Sequence, residues 1–222
     1  MSRQSSLAYE TVRKWILDGE YEPGQRLVEE DVARRVGVSR TSLRDCLRRL
    51  AADGLVHTAP GRGTFVLELD TGEVDEVFQL RSMLEGHGAA LAAQHGDATH
   101  FDTLARVAEA IDELLNRRDV EESALYAQFQ THNTAFHLTL LEASRSARLQ
   151  SMARSLIEVP LVALKQHTWP GEVSVRRSNA QHHELIEALR ARDPVLARLT
   201  VQAHILGARP RAMVAARAAA SS

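Results

Sequence analysis

The chain is short of cysteine: it has one in 222 residues, Cys46. No disulfide can form within it, which excludes the disulfide-framed small domains and fits a reducing cytoplasm. No apolar run approaches membrane-spanning length and no signal-peptide core opens the chain, so the expectation is a cytoplasmic protein with no membrane partner. Internal repeats are absent. The biased stretch after Arg211, rich in Ala and Arg, reads as a fraying helix end. There is no H-E-x-x-H and no C-x-x-C, so no motif announces a metal or redox site. Neither charge dominates, with 27 Lys/Arg against 29 Asp/Glu.

That balance hides an asymmetry. Residues 1–66 hold 11 Lys/Arg and 9 Asp/Glu, whereas the remainder holds 16 and 20. Between Arg34 and Arg49 six arginines face a single acid, Asp45. A local basic patch of this kind points toward nucleic acid.

The patch lies on Val38–Leu50. Read as a helix, Leu43, Cys46, Leu47 and Leu50 form one apolar stripe. Arg40, Arg44 and Arg48 recur every four residues on the other side, beside Thr41, and Ser39 stands where an N-cap belongs. Arginine can fork onto guanine and Thr can touch a thymine methyl, so such a face suits the major groove. A solvated basic helix is the competing reading, and the flanking segments weigh against it. Glu29–Val36 reads as a short helix with acids in its first turn and Gly37 beyond its end. After Asp53-Gly54, two apolar runs, 55–58 and 64–67, flank Ala59-Pro60-Gly61-Arg62-Gly63, which predicts a hairpin. Arg62 between two glycines can approach a phosphate backbone closely. Helix, Gly turn, helix and hairpin in this order predict a winged helix-turn-helix. Leu7–Asp18 forms a preceding helix.

The motifs Pro23-Gly24-Gln25-Arg26-Leu27, Val38-Ser39-Arg40-Thr41 with Leu43-Arg44, Asp53-Gly54-Leu55-Val56 and Gly61-Arg62-Gly63-Thr64-Phe65-Val66 resemble the DNA-binding domain of GntR-type transcription regulators. The family more often has Pro at the position of Ser42 and Glu-Ala at Asp45-Cys46. The resemblance implies that Ser39, Arg40, Thr41, Ser42, Arg44, Gly61 and Arg62 meet DNA.

The polar break Asp70-Thr71-Gly72 separates a first domain, residues 1–69, from a second, 73–222. Beyond it the pattern is helical throughout: Val74–Gln94, Ala98–Arg117, Glu121–Ala143, Ala147 to about Thr168 with Pro160 kinking or splitting it, a Trp169-Pro170-Gly171 loop, Val175–Arg192, and Pro194 to about Ala216. The fold class is therefore mainly α, a winged domain followed by an all-α bundle.

Of ten histidines, His87, His95, His100 and His167 fall at polar or loop positions and read as surface residues. His137, His182 and His204 interrupt apolar helical patterns, and Asn133 and His137 share a helix face at i, i+4. By residues alone, three separated histidines are more often unrelated than a metal site. The second domain, however, resembles the FCD ligand-binding domain of one GntR subgroup, in its VanR-like six-helix form. The resemblance lies in Arg81-Ser82-Met83-Leu84-Glu85, in Asn133 before Phe136-His137, in His182 with Asp193 eleven residues on, and in His204. It implies a divalent metal on Asn133, His137, His182 and His204, and a small carboxylate effector held with the help of Arg81. Many relatives have Asp where Asn133 stands; a neutral amide leaves the site one negative charge short and favours Zn or Ni over Mg or Ca. His132 and His183 adjoin matched positions but turn to other faces.

The expected protein is a ligand-responsive repressor, a homodimer on an inverted-repeat operator. Two other classes compete: a metal-dependent hydrolytic enzyme, against which no carboxylate of the matched segments is an evident general base, and a regulator whose signal is the metal itself.

Overall fold

The computed structural model describes residues 3–117, 120–163 and 172–209. The chain forms two compact units: the first runs to Asp70 and also takes in the chain from Glu158 to the end of the seventh helix, and the second holds the other described residues from Thr71 on.

The first unit opens with α1 (Arg3–Asp18), which buries Ala8, Val12 and Ile16 at helical spacing. The helix starts earlier than its apolar periodicity, because Gln4 and Ser5 have tertiary roles that a hydrophobic pattern cannot register: Ser5 is buried and Gln4 Oε1 accepts from Ser42 Oγ. Helices α2 (Glu29–Val36) and α3 (Arg40–Ala52) follow, joined through Gly37 at φ 79°. That left-handed backbone costs an L side chain about 1–2 kcal/mol and costs glycine nothing. Three antiparallel strands, β1 (Arg26–Leu27), β2 (Val56–Ala59) and β3 (Gly63–Val66), form a sheet in the order β1-β3-β2. The hairpin register pairs Val56 with Val66 and Ala59 with Gly63. Strand β1 was not foreseen: two residues hold no period, and their pairing of Leu27 with Thr64 is long-range. The core gathers Ile16, Leu27, Val32, Leu43, Leu50, Leu55 and Val66 around Cys46. Burial pushes the Cys46 thiol up to about 12, so it packs as a small apolar residue rather than a nucleophile.

The second unit comprises α4 (Thr71–His95), α5 (Ala98–Asn116), α6 (Glu122–Ala143), the part of α7 (Ala147–Ala163) up to Ile157, α8 (Glu172–Arg190) and α9 (Pro194–Gly207). Thr71 and Gly72, read above as a break, begin α4. α7 runs through Pro160 as one helix rather than splitting there. The predicted continuation to Thr168, the Trp169–Gly171 loop, His167 and the Ala/Arg-rich tail lie outside the described residues. Two of these helices start on side-chain caps. Asp97 and His100 form a reciprocal capping box at the start of α5. Asp193 accepts from the N–H groups of Val195 and Leu196, with Pro194 as the first residue of α9.

Helix α4 packs against α6 and α9, α5 against α6 and α8, and α8 against α9. The α4–α9 approach is close because Gly86 faces Gln202: a Cβ there would sit 2.8 Å from Gln202 Cγ. Leu104, Ile111, Phe136, Leu140, Leu185, Leu189 and Val201 fill the interior. Among them lie Arg81, Glu85, His137, Asn179, His182 and His204, all buried. Polar groups so placed need partners, and their partners define the site.

Candidate functional site

Two surfaces carry chemistry. In the first unit, Ser39 caps α3 as its sequence indicated, its Oγ accepting from Ser42 N–H at 3.2 Å. Arg40, Thr41, Arg44 and Arg48 are exposed along the helix. Ser42 is not. It is 8% exposed, with its hydroxyl against Ser39 Oγ at 3.0 Å and toward Gln4, so the structure gives it to the helix start rather than to the open face. The arginines are already engaged. Arg40 Nη2 lies 3.0 Å from Glu30 Oε1 and Arg44 Nε 2.9 Å from Glu29 Oε2, both acids of the first turn of α2, while Arg48 pairs with Asp45. A cleft of about 260 Å³ lined by Arg26, Glu29, Glu30, Arg40 and Thr64 brings the starts of α2 and α3 beside the sheet. At the hairpin tip Gly61 and Arg62 are exposed, with Gly61 at φ 71°.

In the second unit, His137 of α6, His182 of α8 and His204 of α9 converge. Each is at most 4% exposed, and one ring nitrogen of each lies within 4.8 Å of the others. His137 Nε2 and His204 Nε2 are 3.2 Å apart, and the His182 and His204 ring centroids 4.5 Å. Two nitrogens bound to one ion at about 2.0–2.1 Å sit about 3 Å apart, so the closest pair already has ligand spacing. Phe136 stacks on His182 with centroids 3.9 Å apart and fixes its ring plane. His182 Nε2 and Asn133 Oδ1 are buried without a hydrogen-bond partner. An orphaned imidazole nitrogen within a buried histidine cluster is what a soft or borderline divalent cation would satisfy. The residues present therefore fit the metal that the family resemblance implies.

Around this cluster runs a chain of charge. Arg81 Nε donates to Glu85 Oε1 at 2.8 Å, and Glu85 Oε2 lies 2.5 Å from His137 Nδ1. Burial alone would raise the Glu85 carboxyl, but His137 and the Arg81 guanidinium beside it overcome this and hold it at about 2. Burial, then the neighbouring His137 and Arg81, lowers His204 to about 3. Burial and the other histidines take His182 well below the usual range. His182 and His204 are thus neutral at neutral pH, the form that offers a lone pair to a metal.

Sequence reasoning missed Glu85 and Asn179 as members of the site. Asn179 is 1% exposed and its Oδ1 meets His182 Nδ1 at 3.2 Å. Both carried a signal: Glu85 stands one turn after Arg81, and Asn179 breaks the buried stripe Val175, His182, Ile186. His183 is not one of the three clustered rings; it lies half-exposed against Asp112, whose other oxygen accepts from Asn179. His132, also set aside, is partly buried. His100 is a cap residue rather than a free surface histidine.

This architecture, a winged helix-turn-helix joined to a six-helix domain with a buried histidine cluster, is that of a two-domain DNA-binding regulator. The family comparisons give the same division. Residues 4–66 match the model of bacterial regulatory proteins of the gntR family, and residues 76–207 match the FCD domain. The chain belongs to the GntR family of transcription regulators, in the group that carries an FCD domain. Its relatives include the "Probable D-xylose utilization operon transcriptional repressor" of Paenarthrobacter nicotinovorans, 28% identical over 86% of this chain and 80% of that protein. The Glc operon transcriptional activator of Escherichia coli is 27% identical over 88% and 84%. The solved structure of E. coli McbR/YncC superposes with a TM-score of 0.78 at 22% identity, covering 98% of this chain and all of that one, which shows a shared fold. The family and these relatives are regulators, not enzymes, and this disposes of the hydrolytic reading. No helix among the described residues is long and apolar enough to cross a membrane.

Proposed function

We propose that this DNA-binding regulator is a repressor whose FCD domain holds one divalent metal, Zn or Ni by ligand chemistry, on His137, His182 and His204, with Asn133 as a fourth, oxygen donor. A small carboxylate metabolite is the signal. One of its oxygens would take an open position on the metal, and the N–H groups of Arg81 not used by Glu85 would take the other. The observation that carries this reading is the burial of three histidines from three helices around one point, with an arginine one residue beyond. When bound, the metal supplies Lewis acidity for anion capture; the chain's own residues set orientation, exclude water and select by charge.

The dimer forms through the helical domain and presents two winged units to an inverted-repeat operator with half-sites about one helical turn apart. Arg40, Thr41 and Arg44 read base edges, while Gly61 and Arg62 follow the backbone. Effector and operator are coupled ligands, so each must weaken the other by the same factor.

The test is operator binding by the full chain at constant metal, followed by fluorescence anisotropy across a panel of mono-, di- and tricarboxylates. Release by one of these acids supports the proposal. Release by chelator, with every acid inert, would make the metal the signal. Stoichiometric zinc retained by His182→Ala would remove the site from this cluster. A monomer in light scattering at micromolar concentration would remove the two-headed geometry.

A further inference from the structure

We infer that Glu85 and Asn179 are positioning residues that fix the tautomers of His137 and His182, so that both rings turn a bare Nε2 toward the same point. The inference rests on the metal reading above and extends it to residues that touch no ion.

An imidazole that ligates through Nε2 must carry its proton on Nδ1, and what Nδ1 meets decides whether it does. At His182 the partner is the Asn179 amide. The Asn179 nitrogen lies 3.0 Å from the Ala108 carbonyl and 2.7 Å from Asp112 Oδ1. A backbone carbonyl and a carboxylate only accept, so both amide hydrogens are committed and the orientation of the amide is settled by its network. The other end, 3.2 Å from His182 Nδ1, is then an oxygen and needs a donor. His182 Nδ1 must supply the hydrogen, which leaves Nε2 as the lone pair, the atom that is buried and unpartnered.

At His137 the partner is Glu85, fully buried and ion-paired with Arg81. One of its oxygens is taken by Arg81, and the other lies 2.5 Å from His137 Nδ1. A carboxylate cannot donate, so Nδ1 carries the proton here too, and His137 Nε2 faces His204. The anchors sit on helices that bear no ligand: Glu85 and Arg81 on α4, Ala108 and Asp112 on α5. Ligand geometry on α6 and α8 is thereby tied to the positions of α4 and α5.

The experiment uses full-length protein with 15N-histidine labelling, metal-free, and long-range 1H–15N correlation to read each tautomer. Zn²⁺ affinity is then measured by competition with a chromophoric chelator. Wild type should show Nδ1–H at His137 and His182. Asn179→Leu should move His182, and Glu85→Gln should move His137, toward Nε2–H or a mixture. Each should bind Zn²⁺ about 10- to 100-fold more weakly, the usual range for an outer-shell partner. Nε2–H at both rings in the wild type, or variants with wild-type tautomers and wild-type affinity, would overturn the inference. Wild type that shows Nδ1–H but binds no Zn²⁺ would instead refute the metal reading and leave the tautomer assignment standing. The wild-type spectrum decides the question even where a variant fails to fold.

Discussion

The arginines proposed to read DNA are not idle in the free protein, and this yields a quantitative expectation for Arg44 and Glu29. Their side chains are 66% and 37% exposed and meet at 2.9 Å. An exposed pair of this kind is worth about 0.2–1 kcal/mol. A bidentate arginine–guanine contact is worth about 1–3 kcal/mol of base discrimination. The DNA contact therefore wins, but binding must first release the carboxylate. Arg44→Ala should weaken operator binding by about 5- to 150-fold and flatten the preference at one base pair, at about 1.4 kcal/mol per tenfold. Glu29→Gln should strengthen binding by up to about 5-fold. The gain should vanish in the double variant, because the two residues act through one contact. Anisotropy titrations of a labelled operator at fixed salt, repeated at a second salt concentration, provide the measurement. Wild-type binding by Arg44→Ala would end its role in DNA reading. Weaker binding by Glu29→Gln would show that the glutamate aims the arginine rather than competing for it, and the reasoning from pair energies would fail.

Ser39→Ala removes the acceptor for Ser42 N–H and should cost about 0.5–2 kcal/mol, read as a lower urea midpoint at unchanged slope; an unmoved midpoint would deny the cap its role. Phe136→Ala, at a fully buried ring stacked on His182, should cost about 3–5 kcal/mol and weaken Zn²⁺ binding, whereas retained zinc affinity would show that the stacking does not orient the imidazole. The metal-free protein should lose stability in acid. His182 and His204 are depressed in the folded state, His204 to about 3 from an ordinary 6.5, so the unfolded chain binds more protons between those values. Their contribution is whole above about 6.5 and is lost as pH falls, by at most about 1.4 kcal/mol per pH unit for each histidine. Glu85, held at about 2 against an ordinary 4.5, adds a loss that begins below about 4.5. Thermal melts from pH 8 to pH 4 with chelator present check the sign, and melting that rises on acidification would refute it.

Where the deciding chemistry is local, the sequence can be read directly. Ser39 finds its amide three residues on, Gly37 needs only its own φ, and Asp193 and Pro194 start a helix together. The hairpin follows from its Pro-Gly-Arg-Gly turn. Where a residue's partner lies far along the chain, the local pattern is silent or misleading. Ser42 looks like one more hydroxyl on a basic face until Gln4 closes over it. β1 exists because β3 is there to pair with it. The histidine cluster is intermediate: each ring was visible as a polar break in an apolar stripe, but no spacing could bring α6, α8 and α9 to one point, and only the family resemblance joined them.

Glu85 and Asn179 show how far the same reasoning could have gone. A buried polar residue on an apolar stripe demands a partner, and that rule reaches Arg81, Glu85, His137, Asn179, His182 and His204. Taken together, they also account for the charge of the site. Arg81 cancels Glu85, the imidazoles of His182 and His204 are neutral at neutral pH, and the Asn133 amide brings no charge. A divalent ion held there would keep most of its charge uncompensated by the chain. In a low-dielectric interior such a charge calls for an anion, and this is the physical reason to search for the effector among carboxylates before neutral metabolites.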